Sequence, residues 1–129
     1  MAAAFDAVFR EGAGRAAVIG SDVPWVTRAA VRQALAALAA HDVVLGPALD
    51  GGYYLLALAR PCPDLFTDIT WSAPGVLAAT LERSRTLGLS PHLVEALPDI
   101  DGPEDLRREW ARVAPLLGAA LRERVRAAL

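Results

Sequence analysis

Lysine is absent from this sequence, and arginine supplies all 13 basic side chains. Schiff-base chemistry and a Walker-type phosphate lysine are thereby excluded. Cysteine occurs once, at Cys62 between two prolines, without metal-type spacing around it. An internal disulfide is impossible, Cys62 reads as a silent thiol, and the setting reads as cytoplasmic. No apolar run reaches the roughly 18 residues that a membrane helix requires. The opening MAAAFDAVFREG carries an acid at Asp6 and no basic stretch, so it does not read as a secretory signal. A net charge of −2 leaves no basic excess for nucleic acid or an anionic membrane.

What is present is globular. The chain is 54% apolar and 22% charged over 129 residues, which predicts one domain, residues 1–129, with a real core. Phe5, Val8 and Phe9 at i, i+3, i+4 spacing predict a short helix over 2–10. Ala16 to Gly20 is a brief continuous apolar run, the mark of a strand covered on both faces. Thr27 is a plausible N-cap for a helix bearing Val31, Leu35 and Leu38 and running to about Ala40. Val43 to Gly46 and the stretch YYLLALAR are further strand candidates. PCPDLFTDITWS reads as loop.

Ser72 is expected to cap a helix with Pro74 in its first turn, Leu77 and Leu81 on its buried stripe and Gly88 at its end. His92 to Leu97 is a fourth strand candidate. Asp101 is expected to open a helix carrying Leu106, Trp110 and Val113, broken at Pro115 before a last amphipathic helix. Strands alternating with helices indicate an α/β fold with a mostly parallel sheet. ALDGGYY is too short for a crossover helix, so the second and third strands should run antiparallel, making the sheet mixed.

The chemistry-bearing residues fall at the ends of these strands, where open α/β sheets bind ligands. VIGSDVP places Asp22 two residues after an apolar run stops. A carboxylate there could hold a hard cation or could cap the turn before Pro24. In DIDGPEDL, Asp101 stands three residues before Glu104, close to a capping box. Asp99 shares a side of the extended chain with Asp101, and the two could complete a metal site with Asp22. Gly51 and Gly52 permit close backbone approach of a ligand or simply a tight hairpin. Trp71 and Ser72 mark a loop-to-helix junction that could bind an anion or merely cap the helix. His41 and His92 have no neighbouring nucleophile and read as surface or packing residues.

The order VIGSDVP, DVVLGPALDGGYYLLAL, ITWSAPGVL, LPDIDGPEDL resembles the nucleotide-diphospho-sugar transferase-like proteins, also called radical-SAM/selenodomain-associated or arsenosugar-biosynthesis-type transferases. The resemblance runs from about Met1 to Leu106. It implies a Rossmann-like GT-A fold: a mixed, mostly parallel sheet flanked by helices. Asp22 would be the first ligand of Mg²⁺ or Mn²⁺, with Asp101 and Asp99 the second. Gly51, Gly52 and Tyr53 would line the acceptor side, with Trp71 and Ser72 near the same cleft. The partners implied are a nucleotide-sugar or nucleoside triphosphate and a small-molecule acceptor. Three positions depart from the pattern: Val23 replaces cysteine, Trp25 glycine and Gly102 threonine. Trp25 would be expected to crowd a metal on Asp22.

Members of that family begin well upstream, with a strand and a proline-, glycine- and basic-rich loop that grips the nucleotide. This chain therefore reads as truncated, lacking the first strands, with Ala16–Gly20 left as an open edge suited to a homodimer. The first functional reading is a metal-dependent transferase moving a sugar from a nucleotide-diphospho-sugar. Its alternatives are a nucleotidyltransferase of the guanylyltransferase type, and an inactive remnant or binding module. Donor sugar, acceptor, nucleotide base, catalytic base and oligomeric state are not legible in the sequence.

Overall fold

Two adjacent strands carry the most apolar side chains of the chain, and the rest of the fold covers them. In the computed structural model, which describes residues 1–71 and 74–129, these are β2 (Val43–Pro47) and β3 (Tyr53–Leu58). Val43, Val44, Leu45, Leu55, Leu56, Ala57 and Leu58 are all at most 1% exposed, as expected for strands covered on both faces. They pair antiparallel through the short ALDGGYY connection, as the loop length required.

β1 (Ala16–Ile19) lies antiparallel to β3, and β4 (Pro91–Leu93) lies parallel to β2, so the order is β1-β3-β2-β4. Three strands thus point one way and β3 the other. The mixed α/β sheet expected from the sequence is present. β1 is an edge strand, and Ile19 at its end is 49% exposed. The fourth strand is shorter than His92–Leu97. Beyond Leu93 it continues only as a bridge between Leu97 and Ala48.

Helices cover both faces. α1 (Ala2–Arg10) buries Phe5 on the face formed by Val43, Leu45, Leu56 and Leu58, where α3 (Val76–Thr86) adds Leu77 and Leu81. α2 (Arg28–Ala37) buries Ala34 on the opposite face with Val44, Leu55 and Ala57, and Leu38 just beyond its end joins them. Thr27 caps α2 as expected, its Oγ1 accepting from Ala30 N at 3.1 Å. The helix ends at Ala37 rather than Ala40. There the chain tightens into three-residue turns, Ala39 N to Ala36 O and Ala40 N to Ala37 O.

α3 also begins later than expected. Gly75, at φ +100°, is its N-cap, and Pro74 lies outside it. Its first-turn N–H at Leu77 donates to Gly51 O at 3.1 Å, so the glycine loop satisfies the helix end in place of a serine. The expected cap Ser72 lies outside the described residues. Gly88, at φ +70°, closes the other end as expected. The loop before α3 contains a short 3₁₀ turn, Pro63–Phe66, which buries Leu65.

The helix expected from Asp101 is instead α4 (Pro103–Arg108), interrupted at Glu109 before α5 (Trp110–Val113). A 3₁₀ turn, Ala114–Leu116, follows at Pro115. The acid that reaches back is Asp105, not Glu104: its carboxylate accepts from Gly102 N at 3.1 Å and Asp101 N at 3.2 Å. α6 (Ala119–Ala128) buries no residue. Among the described residues no helix is long and apolar enough to cross a membrane.

One irregularity aims the aromatic residues near the site. The register of β2 and β3 shifts between Gly46 and Pro47: Gly46 faces Leu55, but Pro47 faces Tyr53. Tyr54 is the extra, bulged residue, and it turns to the α2 face beside Leu55. Its ring lies where a side chain on Gly46 would be, 2.5 Å from an ideal Cβ, and its hydroxyl donates to Glu95 O at 2.9 Å. Tyr53 is left on the other face, beside the carboxyl end of β2.

Candidate metal centre and cleft

Three strands, β1, β2 and β4, deliver their carboxyl ends to the same side of the sheet, and an acidic loop follows each. After β1 the chain makes its last sheet bond, Gly20 N to Tyr54 O at 2.8 Å. Asp22 then folds back so closely that a Cβ on Gly20 would stand 2.4 Å from Asp22 Oδ1. The carboxylate thus occupies the space that a side chain at Gly20 would take. Val23, 4% exposed, anchors the turn in the core.

After β2, Asp50 accepts from Gly52 N at 2.8 Å, and Gly51 adopts φ +95°. This side-chain turn fixes the Asp50 carboxylate. Beyond β4, Leu97 N donates to Pro47 O at 3.0 Å, and Ile100 N to Asp22 O at 3.0 Å. Those two backbone bonds lay the Asp99–Asp101 segment across the ends of β2 and β1.

The outcome is convergence. Asp50, Asp99 and Asp101 each offer a carboxylate oxygen, and these oxygens lie within 4.8 Å of one another. Oxygen ligands of Mg²⁺, Mn²⁺ or Ca²⁺ stand about 2.0–2.6 Å from the ion, hence up to about 4–5 Å apart, so the trio fits such a cation. Asp99 is half-buried and its two partners are exposed. Burial pushes the Asp99 carboxyl above the ordinary 3.8, and the negative charges of Asp50, Asp101 and Asp22 push the same way. A cation would relieve that repulsion.

A cleft of about 580 Å³ opens from these acids, with Asp22, Asp50 and Asp101 on its wall together with Gly52, Tyr53 and Trp71. A smaller recess of about 100 Å³ reaches Asp99. Burial raises the Tyr53 phenol above 10.0. Trp71 is 42% exposed and is backed by the Phe66 ring at 6.3 Å.

Residues 1–73 match the model of a family described as "Uncharacterized protein conserved in bacteria (DUF2064)". The chain belongs to this family. A crystal structure from Desulfovibrio desulfuricans G20, of a protein named as a candidate nucleotide-diphospho-sugar transferase, is 36% identical, with a TM-score of 0.77. The similarity covers 82% of this chain and 47% of that one, so the chain spans about half of its relative's length. No curated protein matches the chain.

Among the family residues anticipated from sequence, Asp22, Asp99, Asp101, Gly52, Tyr53 and Trp71 are brought together. Gly51 is not on the cleft wall and instead docks the loop on α3. Asp22 shares the cleft but is not one of the three mutually close carboxylates. Asp50 was missed. Its only signal was an aspartate two residues before the glycine that its side chain would bond, a pattern read as a plain hairpin.

Trp25 does not crowd Asp22. It points into the α2 face beside Gln33 and Leu97, with the Arg112 guanidinium 4.4 Å from the ring centre. The substitution of tryptophan for glycine there leaves the acidic cleft open.

Proposed function

We propose that this chain contributes the cation-binding and acceptor half of a transferase that moves a glycosyl group from a nucleotide-diphospho-sugar to a small molecule. The observation that carries the reading is the convergence of Asp50, Asp99 and Asp101 at the carboxyl ends of parallel strands. The similarity to a protein named for that donor class supports it. Asp50, Asp99 and Asp101 would hold Mg²⁺ or Mn²⁺, with Asp22 facing the ion from the end of β1. When bound, the cation supplies charge neutralisation for the departing diphosphate.

The remaining work belongs to the chain's own residues. Tyr53 and Trp71 wall the space in which the acceptor is oriented against the donor. In the transfer, the acceptor oxygen bonds to the anomeric carbon as the bond from that carbon to the diphosphate oxygen breaks. The diphosphate leaves with the electron pair, and the acceptor's hydroxyl proton passes to solvent. A guanylyltransferase would need basic side chains for a triphosphate and a phosphorylated acceptor. The donor class named for the similar protein favours glycosyl transfer over that reading.

Calorimetric titration with Mn²⁺, and with UDP and GDP in its presence, tests the reading on the wild-type chain and Asp101→Asn. Metal binding that weakens at least tenfold in Asp101→Asn is expected, with nucleotide binding dependent on the metal. Equal Mn²⁺ affinity in both proteins would refute the assignment.

A further inference from the structure

Four carboxylates and two aromatic rings share this cleft, and that combination selects the charge of whatever enters it. Asp22, Asp50 and Asp101 stand on the wall, with Asp99 in the adjoining recess. Their combined charge exceeds that of one divalent cation, and a bound diphosphate adds more negative charge. Among the described residues no arginine or histidine lines either space. The only positive group offered by the lining residues is the Met1 amino terminus, so an anionic second ligand would meet a net excess of carboxylates.

Trp71 supplies the other half of the recognition. It is 42% exposed, yet its ring stacks on Phe66 at 6.3 Å and 26°, and Phe66 stacks in turn on buried Phe5 at 5.8 Å. The indole is thus held from behind by a ladder of rings rooted in the core. Such a pre-set plate beside carboxylates is the arrangement that binds organic ammonium groups, through ring faces on one side and acids on the other.

We propose that the acceptor bound in this cleft is a small organic cation, an amine or quaternary ammonium compound, packed on the face of Trp71. Calling that ligand the acceptor rests on the transferase reading; the cation selectivity does not.

The test uses the full chain and three probes of similar size: choline, neutral glycerol and anionic glycerol 3-phosphate. Each is titrated with and without Mn²⁺ and UDP, on wild type, Trp71→Phe and Trp71→Ala, with folding checked by circular dichroism. Choline is expected to bind in preference to the other two. Its affinity should fall about five- to thirtyfold in Trp71→Ala and largely survive in Trp71→Phe.

A preference for glycerol or glycerol 3-phosphate would overturn the proposal. So would choline binding indifferent to Trp71, or its absence in a folded chain that binds Mn²⁺. Trp71-dependent choline binding without Mn²⁺ binding would uphold the cation site while removing the transferase reading.

Discussion

Asp42 and Asp50 flank the same strand, β2, and do opposite things. Asp42 precedes it and is fully engaged: Ser90 N donates to it at 3.0 Å, Ser90 Oγ at 3.3 Å, and Arg60 at 3.3 Å. The Ser90 backbone bond foremost, helped by the nearby Arg60 charge, holds its carboxyl below 3.8. Asp50 follows the strand and, apart from its bond to Gly52, faces Asp99 and Asp101. One end of the sheet neutralises its acid, whereas the other concentrates acids and pushes Asp99 upward. The residue type is the same. Pairing makes the first acid structural, and the unneutralised convergence at the second is the feature on which the proposed cation site rests.

The comparison depends on the buried strand pair between the two ends, and removing that support should erase both. Leu45→Ala, at a site 0% exposed, is expected to cost about 2–5 kcal/mol by urea denaturation. Gly46→Ala should be next, at about 1–3 kcal/mol, because its Cβ would meet the Tyr54 ring at 2.5 Å.

A sharper contrast exchanges the charges at the two ends. Asp101→Asn should weaken Mn²⁺ binding at least tenfold, about 1.4 kcal/mol or more, while leaving the urea midpoint level or slightly raised. Asp42→Ala should do the reverse, costing about 1 kcal/mol of stability with unchanged Mn²⁺ affinity. If both variants altered both readouts, the two ends would not be separate.

Titration gives the contrast a sign. The lowered pKa of Asp42 means stability that is present above pH 3.8 and lost as pH falls through its folded value. The raised pKa of Asp99 means stability present below pH 3.8 and lost as pH rises through its folded value. Asp42→Asn should therefore flatten the stability profile on the acid side of 3.8, and Asp99→Asn on the alkaline side. Denaturation midpoints measured across that pH range decide it. Thr27→Ala, far from either end, serves as the calibrating change at about 1 kcal/mol.

Much of this molecule is legible from local rules because the causes are local. The α1 stripe, the Thr27 cap, the Gly88 terminus and the antiparallel β2–β3 pair each follow from residues close together in the chain. Most of what these rules missed has a non-local cause. α3 starts late because Gly51, in another loop, satisfies its first turn. The exception is local: Asp105 rather than Glu104 closes α4 because Gly102, not Asp101, occupies the cap. Tyr54 turns to the α2 face because of a bulge, for which Gly46 leaves the space.

The candidate site divides along the same line. The residue order alone determined the family, the α/β class and the acids at the ends of strands. Asp22, Asp99 and Asp101 were legible since each ends or follows an apolar run. That Asp50 joins Asp99 and Asp101, that Gly51 docks a helix, and that Trp25 points away from the acids were decided only by the tertiary structure. The physical reason is that a cation site is defined by distances between oxygens carried on separate loops. Those distances are set by backbone bonds such as Leu97 to Pro47 and Ile100 to Asp22, which no local pattern encodes.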